Sequence, residues 1–198
     1  MKQLSKTRLY LALIHYPVVN KNGQIIASAV TNLDLHDIAR AARTYGVSAF
    51  YVVTPLKDQQ ELVKRLLSHW LQGGGAQYNP VRGEALGLIR VADSLEIVKQ
   101  DILRQEKEKA ETVVTCAKDQ PGCLHFSRFR EMLDKGSPYL LIFGTAWGIS
   151  RDFITAADHI LEPVRGNTDY NHLSVRSAAS IILDRLMGSP CTGSSVSG

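Results

Sequence analysis

Three stretches of the chain are small, polar or glycine-containing in a way that suits close contact with a flat ligand. They are Thr54-Pro55, GTAWGIS from Gly144 to Ser150, and EPVRGNTDYNHLS from Glu162 to Ser174. Glycine has no Cβ, so main-chain N–H and C=O groups beside it can approach a bound molecule closely. Phosphate is the first ligand to test, because glycine loops at helix starts bind it through free N–H groups. The spacing resists that reading. No GxxxxGK[ST] occurs, GTAWG lacks the GxGxxG spacing, and Gly73, Gly74 and Gly75 follow a helical pattern instead of preceding one. Trp147 would obstruct a phosphate cradle, and the same loop is also compatible with a plain turn holding a packed tryptophan. A single pocket gripped by main-chain groups and apolar surface accounts for all three stretches.

Each stretch follows an apolar run. Arg8 to Ile14 and Ser48 to Val53 are rich in aliphatic, aromatic and branched residues, as strands buried on both faces are. Between them Leu35, Ile38, Ala39 and Ala42 recur at helical spacing, with Thr31, Asn32 or Asp34 as cap and Gly46 as stop. The alternation continues through a helix over 59–72, a loop at Asn79-Pro80, a strand from Ala85 to Val91 and a helix capped by Ser94. Then come a strand from Glu111 to Ala117, a short helix from Phe126 to Leu133 and a strand from Tyr139 to Phe143. A helix capped by Ser150, a strand from His159 to Leu161 and a helix from Ser174 to Met187 complete the pattern. Parallel neighbours need crossover connections, so this alternation predicts an α/β fold with a parallel sheet and helices on both faces. Ligands in such sheets bind beyond the carboxyl ends of the strands.

Composition bounds the remaining possibilities. The chain has 198 residues, 44% of them hydrophobic, enough for one packed domain, expected over 1–188 with a Gly/Ser-rich tail over 189–198. No apolar run approaches the roughly 20 residues of a membrane helix, and YLALI is cut off by His15 with no cleavage pattern behind it, so the expected location is cytoplasmic. Cys116, Cys123 and Cys191 are an odd set without CxxC, which argues against disulfides and zinc. Cys116, Cys123 and His125 supply only three ligands, so no metal is expected. A net charge of +4 tolerates nucleic acid without demonstrating it.

The segments TNLDLHDIARAARTYGV, LLIFGTAWGIS and ILEPVRGNTDYNHLSVRSAASIILDRL resemble the three ordered motifs of the SPOUT superfamily. The likeness is greatest to its bacterial branch of RNA methyltransferases, which carries HYPV near its start, here His15 to Val18. It runs from about Leu9 to Gly188. The resemblance implies a deep trefoil knot in the carboxyl-terminal half, a fold element too rare to infer from periodicity. It also implies S-adenosylmethionine held by the knotted loops, an RNA substrate, and a homodimer with the last helix at its interface. By that likeness Thr54, Pro55, Gly144, Thr145, Trp147 and Gly148 line the cofactor pocket, Leu161 and Pro163 pass beneath the adenine, and Asn171, His172, Leu173 and Ser174 read its edge. Two departures stand out: related branches carry a glutamate where this chain has Trp147, and a shorter spacing than Asn171 to Ser174.

The methyl group of a sulfonium is already activated, so such an enzyme mainly aligns a nucleophile and removes its proton. Arg40 resembles the superfamily arginine that precedes the glycine ending this helix, here Gly46, and would contact substrate or phosphate. Asn32 and Asp34 lie in the neighbouring loop. Asp34, His36 and Asp169 could each accept the proton, and sequence does not choose among them. Asn32 and Asp34 also suit helix capping, and Arg40 with Arg43 also suits a solvated face. Lys118, Arg128, Arg130, Arg151, Arg165 and Arg176 could meet RNA phosphates if they share a face. The face of Val175, Ala178, Ala179 and Ile182 could be core or dimer surface. A non-catalytic nucleotide- or RNA-binding module of the same or a Rossmann-like fold is the rival reading.

Overall fold

The computed structural model describes residues 8–189. In chain order the elements are β1 (Leu9–Ile14), β2 (Val18–Val19), β3 (Ile25–Ile26), α1 (Asn32–Thr44), β4 (Ala49–Val53), α2 (Lys57–Leu71), α3 (Gly74–Tyr78) and α4 (Pro80–Leu86). They continue with β5 (Ile89–Ala92), α5 (Leu95–Glu106), β6 (Glu111–Thr115), α6 (Phe126–Asp134), β7 (Tyr139–Gly144), α7 (Arg151–Thr155), β8 (His159–Leu161) and α8 (Val175–Met187).

Six strands form one sheet in the order β5-β4-β1-β7-β6-β8, and every pairing in it is parallel. The register aligns Ile14 with Val53 on one side and with Gly144 on the other, so the strands end at a common level. All six residues of β1 and all five of β4 are buried, because helices cover both faces and leave no solvated side for an alternating pattern. On one face Leu35 and Ile38 of α1, Val63 of α2, Phe129 of α6 and Leu183 of α8 pack against Leu11, Leu13 and Leu141. On the other, Val98 and Ile102 of α5 and the short α7 pack against Ala12, Ile14 and Ile142. The α/β architecture expected from the alternation is the observed one.

Some local expectations are corrected. The loop expected at Asn79-Pro80 starts α4: Asn79 caps it by accepting from Arg82 N, and Pro80 opens the helix, where its missing N–H costs nothing. Ala85 and Leu86 therefore end a helix, and the strand begins only at Ile89. The triple glycine is not a linker. It enters α3, where a Cβ on Gly75 would stand 2.7 Å from the Trp70 ring. Thr31 caps α1 through Asp34 N, which puts Asn32 and Asp34 inside the helix, and Ser150 heads α7 without a side-chain capping bond. A two-stranded hairpin of β2 and β3 was not foreseen. Cys116 and Cys123 are free thiols, while Cys191 and the tail from 190 lie outside the described residues. Among the described residues no helix is long and apolar enough to cross a membrane, and no group of three or more His, Cys, Asp or Glu could hold a metal ion.

Candidate active site

The loop after β7 is built by its neighbours. Trp147 N donates to Val19 O at 3.1 Å, and Val19 N donates to Gly148 O at 2.9 Å, so the β2–β3 hairpin holds the loop as a further strand would. Gly148 has φ +108°, a conformation L side chains rarely adopt, and Ala146 is left-handed at φ 54°. Gly144 answers a packing demand. A Cβ there would lie 2.5 Å from Ile149 Cγ1 and 2.9 Å from Ile149 N. Gly144→Ala is expected to cost about 1–3 kcal/mol of stability by overpacking and to displace the loop. Thermal denaturation would check it, and an unchanged melting temperature would remove this account of Gly144.

The Thr145 side chain is turned inward. Its hydroxyl donates to Ile14 O at 3.0 Å and meets the Ser28 hydroxyl, which lies 3.0 Å from His15 Nδ1. With the Thr145 proton on Ile14 O, Ser28 donates to Thr145 and His15 Nδ1–H donates to Ser28. His15 is wholly buried, and its Nε2 has no hydrogen-bond partner among the described residues. Burial pushes the His15 pKa down to about 4, with the Asp34 carboxylate opposing that shift. The histidine is therefore neutral near pH 7.

The carboxyl ends of β6 and β8 meet the segment before α8. Asn171 Nδ2 donates to Ala117 O at 2.8 Å, which ties this segment to the end of β6. His172 lies beside Trp147, ring centroids 6.3 Å apart, and Tyr170 stands edge-on to His172 at 6.4 Å. Leu161 is buried, and Glu162 accepts from Phe126 N at 2.6 Å and contacts His125 Nδ1 at 2.9 Å, anchoring the turn into Pro163. Burial alone would raise the Glu162 carboxyl, but Phe126 N–H and His125 outweigh it and hold it below its ordinary value. From Pro163 to Leu173 the chain makes no backbone–backbone hydrogen bond with any described residue. Apart from Tyr170 N, which donates to the Thr168 hydroxyl, these N–H and C=O groups are not committed to secondary structure, and Ser174 then caps α8 through Ser177 N at 3.2 Å.

The proposed proton acceptors separate in space. Asp34 Oδ1 lies 3.3 Å from Arg176 Nε, and Arg176 Nη1 lies 3.5 Å from Asp37 Oδ2, so Asp34 stands at the start of α8 next to the segment just described. Its side chain is only 14% exposed. His36 instead packs edge-on against Trp70 of α2 at 5.3 Å, where burial, with Arg82 and Arg40, lowers its pKa. Asp169 is exposed on the loop, as is Asn32 at the helix start. Arg40 is exposed in an open cleft between α1 and α8 that also includes Asp37, Thr44 and Arg176, and it has no ion-pair partner among the described residues. Of the basic residues expected to share a face, Arg165 pairs with Asp119 and Arg128 with Glu131, while Arg130 donates to Arg185 O.

Thr54 and Pro55 stand apart from this group, because β1 lies between β4 and β7. Thr54 is buried in a local turn, its hydroxyl accepting from Leu56 N and its carbonyl from Gln60 Nε2. Pro55 lines a separate cleft of about 440 Å³ between α5 and α7, with Tyr16, Pro17, Ser94 and Phe153. The strand end that does join the group is Thr115-Cys116-Ala117, which sequence reasoning passed over. Its signal was present: small residues directly after a buried strand.

A parallel sheet flanked by helices, with several strand ends meeting the segment before the last helix, defines an α/β protein whose ligand site is expected beyond the carboxyl ends of the strands. A model of the SAM-dependent RNA methyltransferases matches residues 8–188, and the chain belongs to that family. It is 44% identical over 180 residues to the tRNA (guanine-N(1)-)-methyltransferase of Oleidesulfovibrio alaskensis, a match covering 91% of this chain and 42% of that protein. The chain thus spans less than half the length of this curated relative. An uncharacterized protein of Aquifex aeolicus is 41% identical over 179 residues, covering 90% of this chain and 87% of that one. The solved TrmH/SpoU tRNA modifying enzyme of A. aeolicus has the same fold, with a TM-score of 0.53 and 18% identity over 91% of this chain and 74% of its own.

Proposed function

We propose that this chain is an S-adenosylmethionine-dependent RNA methyltransferase whose cofactor pocket is walled by the ends of β6, β7 and β8 and by Asn171 to Ser174. The observation that carries the reading is the meeting of Trp147 with His172 and of Asn171 with Ala117, beside a segment that makes no backbone–backbone hydrogen bond with a described residue. Its main-chain groups suit S-adenosylmethionine: N–H and C=O outside secondary structure can pair with the adenine edge, and the absence of a charged cradle suits a ligand without phosphates. Within this reading Gly144, Thr145, Gly148 and the main chain of Trp147 supply the β7 wall, Leu161 and Pro163 the floor, and Thr54 and Pro55 act only through the flank formed by β1 and β4.

Bound there, the cofactor supplies an electrophilic methyl carbon. With S-adenosylmethionine held there, Asp34 would take the proton released by the RNA base or ribose atom that receives the methyl group. Arg40 and Arg176 hold a phosphate or the substrate edge from the α1–α8 cleft. The segment before α8 passes through a deep trefoil knot, and α8 lies at the interface of a homodimer acting in the cytoplasm. The name of the O. alaskensis relative makes tRNA the first substrate to try; that name describes a protein more than twice this length.

Calorimetry with S-adenosylhomocysteine tests the pocket, and transfer of labelled methyl to tRNA or rRNA from a deletion strain tests the reaction. Binding of the nucleoside with label in RNA is the expected result. No heat on titration overturns the pocket, and binding without transfer overturns the enzyme reading. Arg40→Ala is expected to weaken RNA methylation about tenfold through KM, as the loss of one charge-assisted contact does, with nucleoside binding unchanged.

A further inference from the structure

Trp147 is 66% exposed and Tyr170 75% exposed, with the exposed His172 ring between them. Three neighbouring rings facing water give up apolar contact that a packed tryptophan or tyrosine would make, so the patch needs an account. The loop that carries Trp147 is fixed by its main chain: Trp147 N, Gly148 N and Gly148 O are all used in hydrogen bonds to Val19 and Thr145. Folding the loop therefore does not require the indole, and the ring is free to serve something outside the chain.

Two cations follow the segments that carry the patch. Lys118 follows Ala117, whose carbonyl is bonded to Asn171, and Arg151 stands three residues beyond Gly148. Both are exposed, and neither has an ion-pair partner among the described residues. Aromatic faces accompanied by unpaired cations match single-stranded nucleic acid, whose bases stack while the phosphates beside them pair with Lys and Arg. A duplex offers the same charge without an accessible base face.

We propose that Trp147, His172 and Tyr170 form a stacking platform for an unpaired base of the RNA substrate, with Lys118 and Arg151 holding the flanking phosphates. This rests on the methyltransferase reading and assigns to these three rings the substrate's base and not the adenine of the cofactor. It makes the chain selective for loops, bulges and single strands over paired RNA.

The test measures fluorescence anisotropy of a short labelled single-stranded RNA and of a blunt duplex of equal length, with S-adenosylhomocysteine calorimetry on the same samples. Trp147→Leu is expected to weaken single-strand binding about tenfold, the scale of one lost base stack, while Trp147→Phe restores most of it. Duplex binding is expected to stay unchanged in both variants, and nucleoside affinity is read alongside to separate the two surfaces. Lys118→Ala with Arg151→Ala should weaken both RNAs alike and flatten the salt dependence. Loss of nucleoside affinity in Trp147→Leu, with single-strand binding intact, overturns the proposal and returns the indole to the cofactor wall. A shift from dimer to monomer in sedimentation, with single-strand binding intact, overturns it in favour of a second copy covering the rings. If the unaltered chain binds no S-adenosylhomocysteine, the methyltransferase reading fails alone, and the single-strand arm still decides the platform.

Discussion

Asp34→Asn is expected to lower the rate of methyl transfer about a hundredfold or more, within the 10²–10⁴ range of a lost general base, while leaving cofactor affinity unchanged. The carboxylate sits in the first turn of α1, where the helix N-terminus favours an anion, and its side chain is 14% exposed. It pairs with Arg176 at 3.3 Å, and Arg176 lies two residues beyond the segment that would hold the cofactor. His36 is committed to Trp70, and His15 is locked between Ser28 and burial, so neither competes well for the substrate proton. Asparagine keeps the shape and the Arg176 contact but cannot take up a proton. Single-turnover rates with saturating cofactor measure the effect. A rate within threefold of the unaltered chain would remove Asp34 from the mechanism.

The second large effect is on stability. The folded-state pKa of His15, about 4, lies below its ordinary value of 6.5, so between those values the unfolded chain binds a proton that the folded chain refuses. Stability is therefore unaffected by this residue above about pH 6.5, falls as pH drops through the window, and reaches its full loss near pH 4. At 1.36 kcal/mol per unit the loss is on the order of 3 kcal/mol. Urea unfolding of the unaltered chain and of His15→Gln across that window measures it, since the carboxylates common to both cancel in the difference. Parallel curves would contradict it, and direct titration of the His15 ring by NMR decides the point if the variant does not fold. The same proton would enter a network that ends on the Thr145 hydroxyl, so the β7 loop is expected to loosen with it.

The strands were legible because burial on both faces leaves continuous apolar runs, as in LYLALI and YLLIF, and such runs have few alternatives. The helices with a single buried stripe, α1 and α8, were legible for the corresponding reason. The region 73–86 was not. Three glycines signal flexibility locally, yet Gly75 is chosen by the Trp70 ring that lies against it, a contact between α2 and α3 invisible to any short window. The β2–β3 hairpin was missed because two-residue strands carry no period.

The candidate site divides in the same way. That strand ends carry the chemistry follows from alternation alone, and the motifs around Gly144 and Asn171 marked two of them. Which ends are neighbours is a property of strand order. β1 separates Thr54 and Pro55 from the β7 loop, and β6 brings Thr115 to Ala117 in beside Asn171, although the two segments lie 54 residues apart in the chain. Sequence by itself determined the longer strands, the helices with a single buried stripe and the family, because burial period and glycine placement are local and leave local traces. Tertiary structure alone decided which strand ends face one another, that the Thr145 hydroxyl is spent on Ile14 while the Trp147 ring is left to solvent, and that Asp34 and not His36 meets α8. Those outcomes depend on which of two chemically capable groups points into a shared space, and that direction is set by packing between segments far apart in the chain.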